Sequence, residues 1–475
     1  MDAMIQLAKT VYGRLPPVAR STAASAYGYY LRAWRYGRET ERLVDEALAR
    51  ESWTPEQWAA YRSEQLATLL HRAATRVPYY RDHWKARRGA GDRSSSDDLR
   101  NWPVLDKQAL RDDPAAFVAD DVDVKRLFRL NTSGTSGSPI TLWRSRRTTR
   151  EWYALLEARS RRWYGVNRHM RWAILGGQLV TPAAQDAPPF WVWNAGLRQL
   201  YMSTLHLTDR HAAAYVSALR KHRIEHMYGY ASSMYWLATI IKRSGLPAPR
   251  LTVAVSNAEP FQAHQRTIVS EVFDCPVRDS YGMAEIAAAA SECDHGAMHV
   301  WPDAGIIEVM DDEADDLVPF GATGRFICTS LLNHDMPLIR YEVGDRGALR
   351  APSAEPCACG RSLQVVERLE GRVSDNLVAA DGRRVFWINP VFYELPVAEA
   401  QVIQEALDLV RVHVVPAASF DDAVGETIAQ RLRQRLGDVR VEVECIDQIP
   451  RGANGKFKPV INRVDASATV DAPAN

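Results

Sequence analysis

Apolar residues recur at helical spacing through most of the first hundred positions, and the chain then turns polar from Gly89 to Asp98. That pattern predicts a mainly helical opening segment closed by a loop. Beyond it, short apolar runs alternate with helical patterns. The run LTVAV (251–255) is strand-like and is followed by the turn SNAEP, after which Phe261, Ile268, Val269, Val272 and Phe273 return at helical intervals. A further strand over 276–280 then leads into YGMAE. Strand, turn, helix, strand implies parallel pairing in a layered α/β sheet. Ligands in such sheets lie beyond the carboxyl ends of the strands, so SNAEP and YGMAE are expected at one mouth. A further strand is expected over 337–341, which, if parallel to these, delivers Asp345 to the same edge.

After Gly371 the period changes. RVHVV (411–415) and VRVEVEC (439–445) alternate with period two, while Ile428, Leu432 and Leu436 mark one face of an intervening helix. The fold class expected is α/β: a large N-terminal layered domain (1–373) with a small α+β domain behind it (374–465). Asp381 and Gly382 are expected to form a tight hairpin turn. The Ala/Ser/Asp tail, 466–475, has the composition of a disordered segment.

Composition narrows the function classes. At 475 residues the chain exceeds one ordinary core. Its 59 basic and 58 acidic residues nearly cancel, which argues against a dedicated nucleic-acid binder. Arg32, Arg35 and Arg38, set among Tyr29, Tyr30, Trp34 and Tyr36, could touch an anionic surface, although aromatics and arginines at this spacing more often pack and snorkel. No apolar run nears the ~18 residues of a membrane span, and the N-terminus is a poor signal peptide, so a cytoplasmic protein is expected, as monomer or homodimer.

Candidate chemistry begins with NTSGTSGSP (131–139). Gly134 and Gly137 can bare backbone amides while Thr132, Ser133, Thr135, Ser136 and Ser138 offer short donors, which suits phosphate; a surface turn has the same composition. The loop lacks the GK[ST] ending of a Walker loop. Six cysteines in a chain of this length do not make a disulfide framework. Cys293, His299, Cys357 and Cys359 offer three thiolates and an imidazole, a set that suits tetrahedral structural zinc; His295 competes for the imidazole position, and four unrelated buried side chains are the alternative. Cys275, Cys328 and Cys445 stand in apolar strand-like contexts and are expected to be core.

Six motifs in collinear order, NTSGTSGSP, SNAEP, YGMAE, IRYEVGDRG, LEGRVSD and PRGANGKFK, resemble those of the adenylate-forming superfamily of acyl-coenzyme A synthetases, adenylation domains and luciferases. They span Asn131 to Lys458. Within it, VPYYR (77–81), YGYASS (228–233) and the pairing of SECDHGAMH with CACGR resemble the phenylacetate-coenzyme A ligases and their capsule-biosynthesis relatives. Those relatives carry a similar Cys, His, Cys, Cys set, which strengthens the zinc assignment.

The resemblance implies attack of a carboxylate on the α-phosphorus of ATP, giving an acyl adenylate and pyrophosphate, then transfer to coenzyme A, an amine or another nucleophile. It assigns ATP binding to Thr132, Ser133, Gly134, Thr135, Ser136 and Gly137, to the adenine turn Ser256, Asn257, Ala258 and Glu259, to Tyr281, Gly282 and Met283, and to Asp345 on the ribose. Glu285 would hold Mg2+, and Lys456 on its glycine-containing loop would stabilise the transition state, with Arg372 approaching the nucleotide. Tyr228, Gly229, Tyr230 and Ala287 would border the acyl pocket, where the small residues of IAAAAS (286–291) could leave room for a bulkier acid. A hinge at Ser374 and Asp375 would let the small domain rotate between half-reactions. Each residue type has a plainer use: Glu285 as a first-turn helix acid, Asp345 as an Asx cap, Tyr281 as core, Arg372 in a surface ion pair, Lys456 in solvent. Two other classes of function compete: a degenerate, zinc-stabilised binding scaffold, and an ADP-forming ligase, whose usual loop lysine is missing.

Overall fold

The computed structural model describes residues 11–464 except 133–139, 177, 179, 183–184, 205, 312–314, 353–354, 373–376, 380–383, 386–387, 389–390, 393–394, 418 and 451–457. Ser133 to Gly137 of the phosphate loop, the 374–375 hinge, the Asp381–Gly382 turn, Lys456 and the 466–475 tail lie outside the described residues.

Four helices open the chain as the periodicity predicts: α1 (Pro17–Arg35), α2 (Thr40–Ala49), α3 (Pro55–Arg76) and α4 (Pro78–Gly89). Proline begins three of them, where its missing N–H would have had no partner anyway. Thr54 and Gln57 add a reciprocal capping box to α3. After the expected loop come the short helix α5 (Lys107–Asp112), then an antiparallel hairpin, β1 (Phe128–Asn131) with β2 (Thr141–Arg144), and α6 (Arg146–Ser160). Ser145 caps α6 through the Thr148 amide.

A six-stranded sheet follows: β3 (Trp172–Gly176), β4 (Trp191–Asn194), β5 (Gln199–Ser203), β6 (His226–Gly229), β7 (Val253–Ser256) and β8 (Val277–Arg278), in spatial order β4-β5-β3-β6-β7-β8. Only β4 is antiparallel. Helices α7 (Ala212–Lys221), α8 (Ala231–Arg243) and α9 (Ala263–Phe273) make the crossovers. β6 and β7 are buried throughout, as strands covered on both faces must be. Helix α1 packs on β4 so closely that a Cβ on Gly28 would collide with Asn194.

The expected strand over 276–280 is divided. Val277 and Arg278 pair with β7, and past Asp279 the chain enters a second, wholly antiparallel sheet. That sheet holds β9 (Ser280–Gly282), β10 (Ala289–Glu292), β11 (Met298–Val300), β12 (Gly305–Met310), β13 (Gly324–Ser330), β14 (Tyr341–Leu349) and β15 (Val365–Arg372), ordered β12-β13-β14-β15-β11-β10-β9. The expected parallel strand over 337–341 is absent. Pro337 has no N–H to give, the amides of Ile339 and Arg340 go to the Tyr80 and Thr329 hydroxyls, and Arg340 turns at φ 47° before β14 begins. Asp345 therefore lies inside an antiparallel strand.

Beyond 376 the described residues form β16 (Leu377–Val378), β17 (Arg384–Val385), β18 (Val397–Ala406), β19 (Leu409–Pro416), α10 (Asp422–Leu436), β20 (Arg440–Cys445) and β21 (Val460–Asn462). Four of these strands make a sheet in the order β20-β19-β18-β21. Ile428, Leu432 and Leu436 are buried against it, as their spacing requires. Cys275 and Cys328 are buried, but Cys445 is exposed at the end of the edge strand β20, past Val441 and Val443, which pack on the core. The unit touches the larger one where the His264 imidazole meets the Ala398 carbonyl at 3.1 Å.

Candidate functional site

The carboxyl ends of the parallel strands align. Register pairs Leu175 with Gly229 and Gly229 with Ser256, so the turn after β7 opens at the strand ends, as predicted. Gly229 is required there, because a Cβ would meet the Leu175 carbonyl at 2.6 Å. The turn is strained: Ala258 sits at φ 64°, a left-handed conformation costing a non-glycine residue about 1 kcal/mol.

Asp279 holds this turn against the second sheet. Its carboxylate accepts from Ser256 Oγ at 2.6 Å and from the Phe261 amide at 3.0 Å, and pairs with Arg266, which also bridges to Glu292. Burial raises its pKa against the pull of Arg266. Ser280 closes the join by donating to the Ser256 carbonyl. The sequence did not single out Asp279; its signal was position, one residue before YGMAE at the junction of two strand patterns.

Of the turn residues assigned to adenine, Asn257 presents a buried Oδ1 with no hydrogen-bond partner, while its amide donates to the Gly229 carbonyl. An unsatisfied buried acceptor calls for a donor, and an exocyclic amine fits. Glu259 turns elsewhere, accepting from the Ser232 amide and hydroxyl in the first turn of α8.

Across the junction, the Tyr281 hydroxyl donates to Asp345 Oδ2 at 2.9 Å, so these two residues meet although Asp345 arrives by an antiparallel route. Arg372 stands opposite Asp345 in the β14–β15 ladder. Gly282 ends β9, and Met283 packs on the larger core. Glu285 accepts from the Tyr341 hydroxyl at 3.1 Å. Its alternative as a first-turn helix acid is excluded, since a turn and then β10 follow it. Ile286 is left-handed at φ 50°, uncommon for a β-branched residue and a strain of the kind that collects at functional sites. Glu285 also faces Arg144, whose guanidinium burial pushes down to about 10 and whose Nη2 is buried without a partner. Thr132 pins the neck of the phosphate loop, its hydroxyl accepting from the Ile140 amide.

One expectation about the acyl pocket needs correction. The Tyr228 side chain does not face the mouth: it packs with Trp172, Val253 and Val255 and bonds the Ser160 carbonyl. Alternation along β6 turns it to that side. Ala287 to Ala290 of IAAAAS are all buried, and the Ala287 carbonyl packs where a Cβ on Gly305 would fall. The missing side chain on Gly305 lets the segment leading into β10 approach β12 of the same sheet. Tyr230, N-terminal to α8, remains at the mouth.

Away from the mouth, ligand atoms of Cys293, His299, Cys357 and Cys359 all lie within 4.8 Å of one another. His299 Nδ1 meets the Leu363 carbonyl at 3.1 Å, which leaves Nε2, 3.3 Å from Cys359 Sγ, as the metal-facing nitrogen. The rival His295 is exposed beside Asp294. The donor set fits zinc closed to solvent chemistry. It is braced by Arg361, which stacks on Trp163 and bonds Glu51, and through Glu51 it meets the buried Arg159–Asp303 pair.

Comparison with known proteins bears on the family and the fold. Residues 377–463 match the family model of the CapK C-terminal domain. Protein CapK of Staphylococcus aureus is 23% identical over 393 residues, covering 81% of this chain and 85% of its own. The phenylacetate-coenzyme A ligase of Thermus thermophilus is 24% identical over 449 residues, covering 87% and 98%. The crystal structure of 2-hydroxyisobutyryl-CoA ligase in the postadenylation state superposes with a TM-score of 0.64 at 20% identity, over 88% of this chain and 92% of that one. Among the described residues no helix is long and apolar enough to cross a membrane.

Proposed function

We propose that this chain, a relative of CapK and the phenylacetate-coenzyme A ligases with the fold of the adenylate-forming ligases, joins AMP to an organic acid and passes the acyl group to coenzyme A or an amine. The observation that carries the proposal is the pair Tyr281–Asp345 facing a strained turn whose Asn257 Oδ1 is buried and unsatisfied. Asp345 accepts both ribose hydroxyls, Tyr281 lies along the base, and Asn257 takes the exocyclic amine. The loop that begins at Thr132 cradles the β and γ phosphates through its amides. Glu285 would hold Mg2+, a hard ion that takes few protein carboxylates, and the ion would supply neutralisation of phosphate charge. An acid bound beside Gly229 and Tyr230 then attacks the α-phosphorus with one carboxylate oxygen, the bond to the β-phosphate oxygen breaks, and pyrophosphate leaves. Two anions must meet, so positioning and positive charge supply most of the catalysis. Lys456 and Arg372 bring that charge.

The division at 374 is part of the same reading: the smaller unit carries Lys456, begins next to the residues matched at 377, and rotates about 374–375 so that the acceptor can enter. A structural zinc at Cys293, His299, Cys357 and Cys359 holds the second sheet together. Cytoplasmic ATP is the source of AMP. The test is product analysis: ATP, Mg2+ and a panel of aryl, fatty and small hydroxy acids, with and without coenzyme A or hydroxylamine. AMP and pyrophosphate are expected with at least one acid, and the hydroxamate when hydroxylamine is present. In Lys456→Ala the rate should fall by roughly 100-fold, with ATP binding only modestly weakened. Production of ADP, or an unchanged rate in that variant, would reject the mechanism.

A further inference from the structure

We propose that the amino-terminal edge of the six-stranded sheet, together with the end of α1, forms a second anion site built for a single phosphate group. Arg32 and Arg35 of α1 converge there with Arg161, Arg168, His169 and Arg198 around a cavity of about 20 Å³. That volume exceeds the ~10–15 Å³ a water requires, so a phosphate would seat an oxygen there with the rest of the group at the opening. The site is separate from the candidate catalytic mouth. Trp172 begins β3, which ends four residues later at the mouth, so the two lie roughly 13 Å apart along the strand.

Charge is not balanced within the pocket. Glu157 pairs with Arg161, and Glu41 with Arg168. Among the described residues, Arg32, Arg35 and Arg198 have no carboxylate in ion-pair range; Arg198 instead donates to the His169 carbonyl at 2.7 Å, and Arg35 lies over the Tyr153 ring. Two buried donors are also unsatisfied, Arg161 Nε and Arg168 Nη1. Buried guanidinium N–H groups without acceptors call for an oxyanion, and the fork of arginine matches phosphate. Burial, then Arg168, hold His169 below its ordinary pKa, as a positive surrounding should. Three uncompensated charges suit a dianion better than a carboxylate.

The phosphate can be free, or it can be the exposed monoester headgroup of a lipid. α1 gives reason to test the second source: Tyr27, Tyr29 and Tyr30 are 50–57% exposed just ahead of Arg32, and no acidic residue occurs from Val11 to Arg38. Inorganic phosphate is titrated calorimetrically into the full chain and into an Arg32→Ala/Arg198→Ala variant, with overlaid urea unfolding curves and unchanged ATP affinity as controls. Phosphate bound by the catalytic loop contributes equally to both proteins, so the difference isolates this pocket. At least about tenfold weaker binding is expected, as for loss of charge-assisted hydrogen bonds. If the double variant folds poorly, R32Q and R198Q singly should each show a smaller loss. In parallel, both proteins are sedimented with vesicles of phosphatidylcholine containing phosphatidic acid. Sedimentation lost in the variant assigns the lipid source, and a difference in the phosphate titration alone assigns free phosphate. Equal behaviour of the proteins in both assays overturns the site.

Discussion

Replacing Asp279 separates anchoring from charge at the junction of the two sheets. Asp279→Asn keeps an oxygen that can accept from Ser256 Oγ and the Phe261 amide, and removes only the ion pair with Arg266. Arg266 retains Glu292, and its side chain is 30% exposed, so the loss should be about 1–2 kcal/mol. Asp279→Ala removes the acceptor as well. Two buried donors are then left without partners at about 1–3 kcal/mol each, which brings the total to about 3–8 kcal/mol. The turn that bears Asn257 also loses its tether to the strand that bears Tyr281, so ATP binding should weaken tenfold or more in the alanine variant and far less in the asparagine variant. Urea unfolding at constant m-value reports stability, and calorimetric titration of ATP reports the turn. Equal losses in the two variants would refute the role of the hydrogen bonds, and an alanine variant as stable and as tight for ATP as the parent would refute the anchor altogether.

Two further outcomes are expected. His226 is fully buried, neither ring nitrogen has a hydrogen-bond partner, and burial followed by Arg161 pushes its pKa down to about 3. The unfolded chain therefore binds a proton below pH ~6.5 that the folded chain refuses, and stability falls with falling pH by about 1.4 kcal/mol per unit until pH ~3; His226→Phe should lack this component when urea midpoints are compared at pH 6.5 and pH 5, and identical acid slopes would contradict it. Metal analysis should find about one zinc per chain in protein purified without chelator, lost in Cys357→Ser and His299→Ala but kept in His295→Ala; absence of zinc from the parent, or its loss in His295→Ala, would sink that assignment.

What the sequence disclosed, and what it hid, follows from the range of the interactions involved. Helices α1 to α4, β7 with α9, and the alternation of β19 and β20 were legible because period and capping are local properties. The gathering of Cys293, His299, Cys357 and Cys359 was only half legible in the residue types, since the long gap between the two halves carries little signal, and it was the resemblance to the phenylacetate-coenzyme A ligases that singled out the set. Tertiary demands were not legible. Leu338 and Ile339 look like a strand because they are buried, yet the amides of Ile339 and Arg340 go to side-chain hydroxyls instead of a ladder. IAAAAS looks like room for a ligand because alanine is small, yet its four alanines are buried and the Ala287 carbonyl sits against Gly305 of the same sheet.

Asp279 and Arg144 show the same divide on the functional side. Each is an ordinary charged residue in its own segment, and each acquires meaning only from groups far along the chain, Asp279 from Ser256 and Arg266, Arg144 from Glu285. Residues that would touch the nucleotide sit in short motifs, because a common ligand imposes a local pattern; residues that position them are chosen by packing and carry none. The mouth therefore depends on a tether between two sheets as much as on the groups that line it. A substitution at the tether should alter ATP binding without touching ATP, and one at Asp345 should alter it by direct contact.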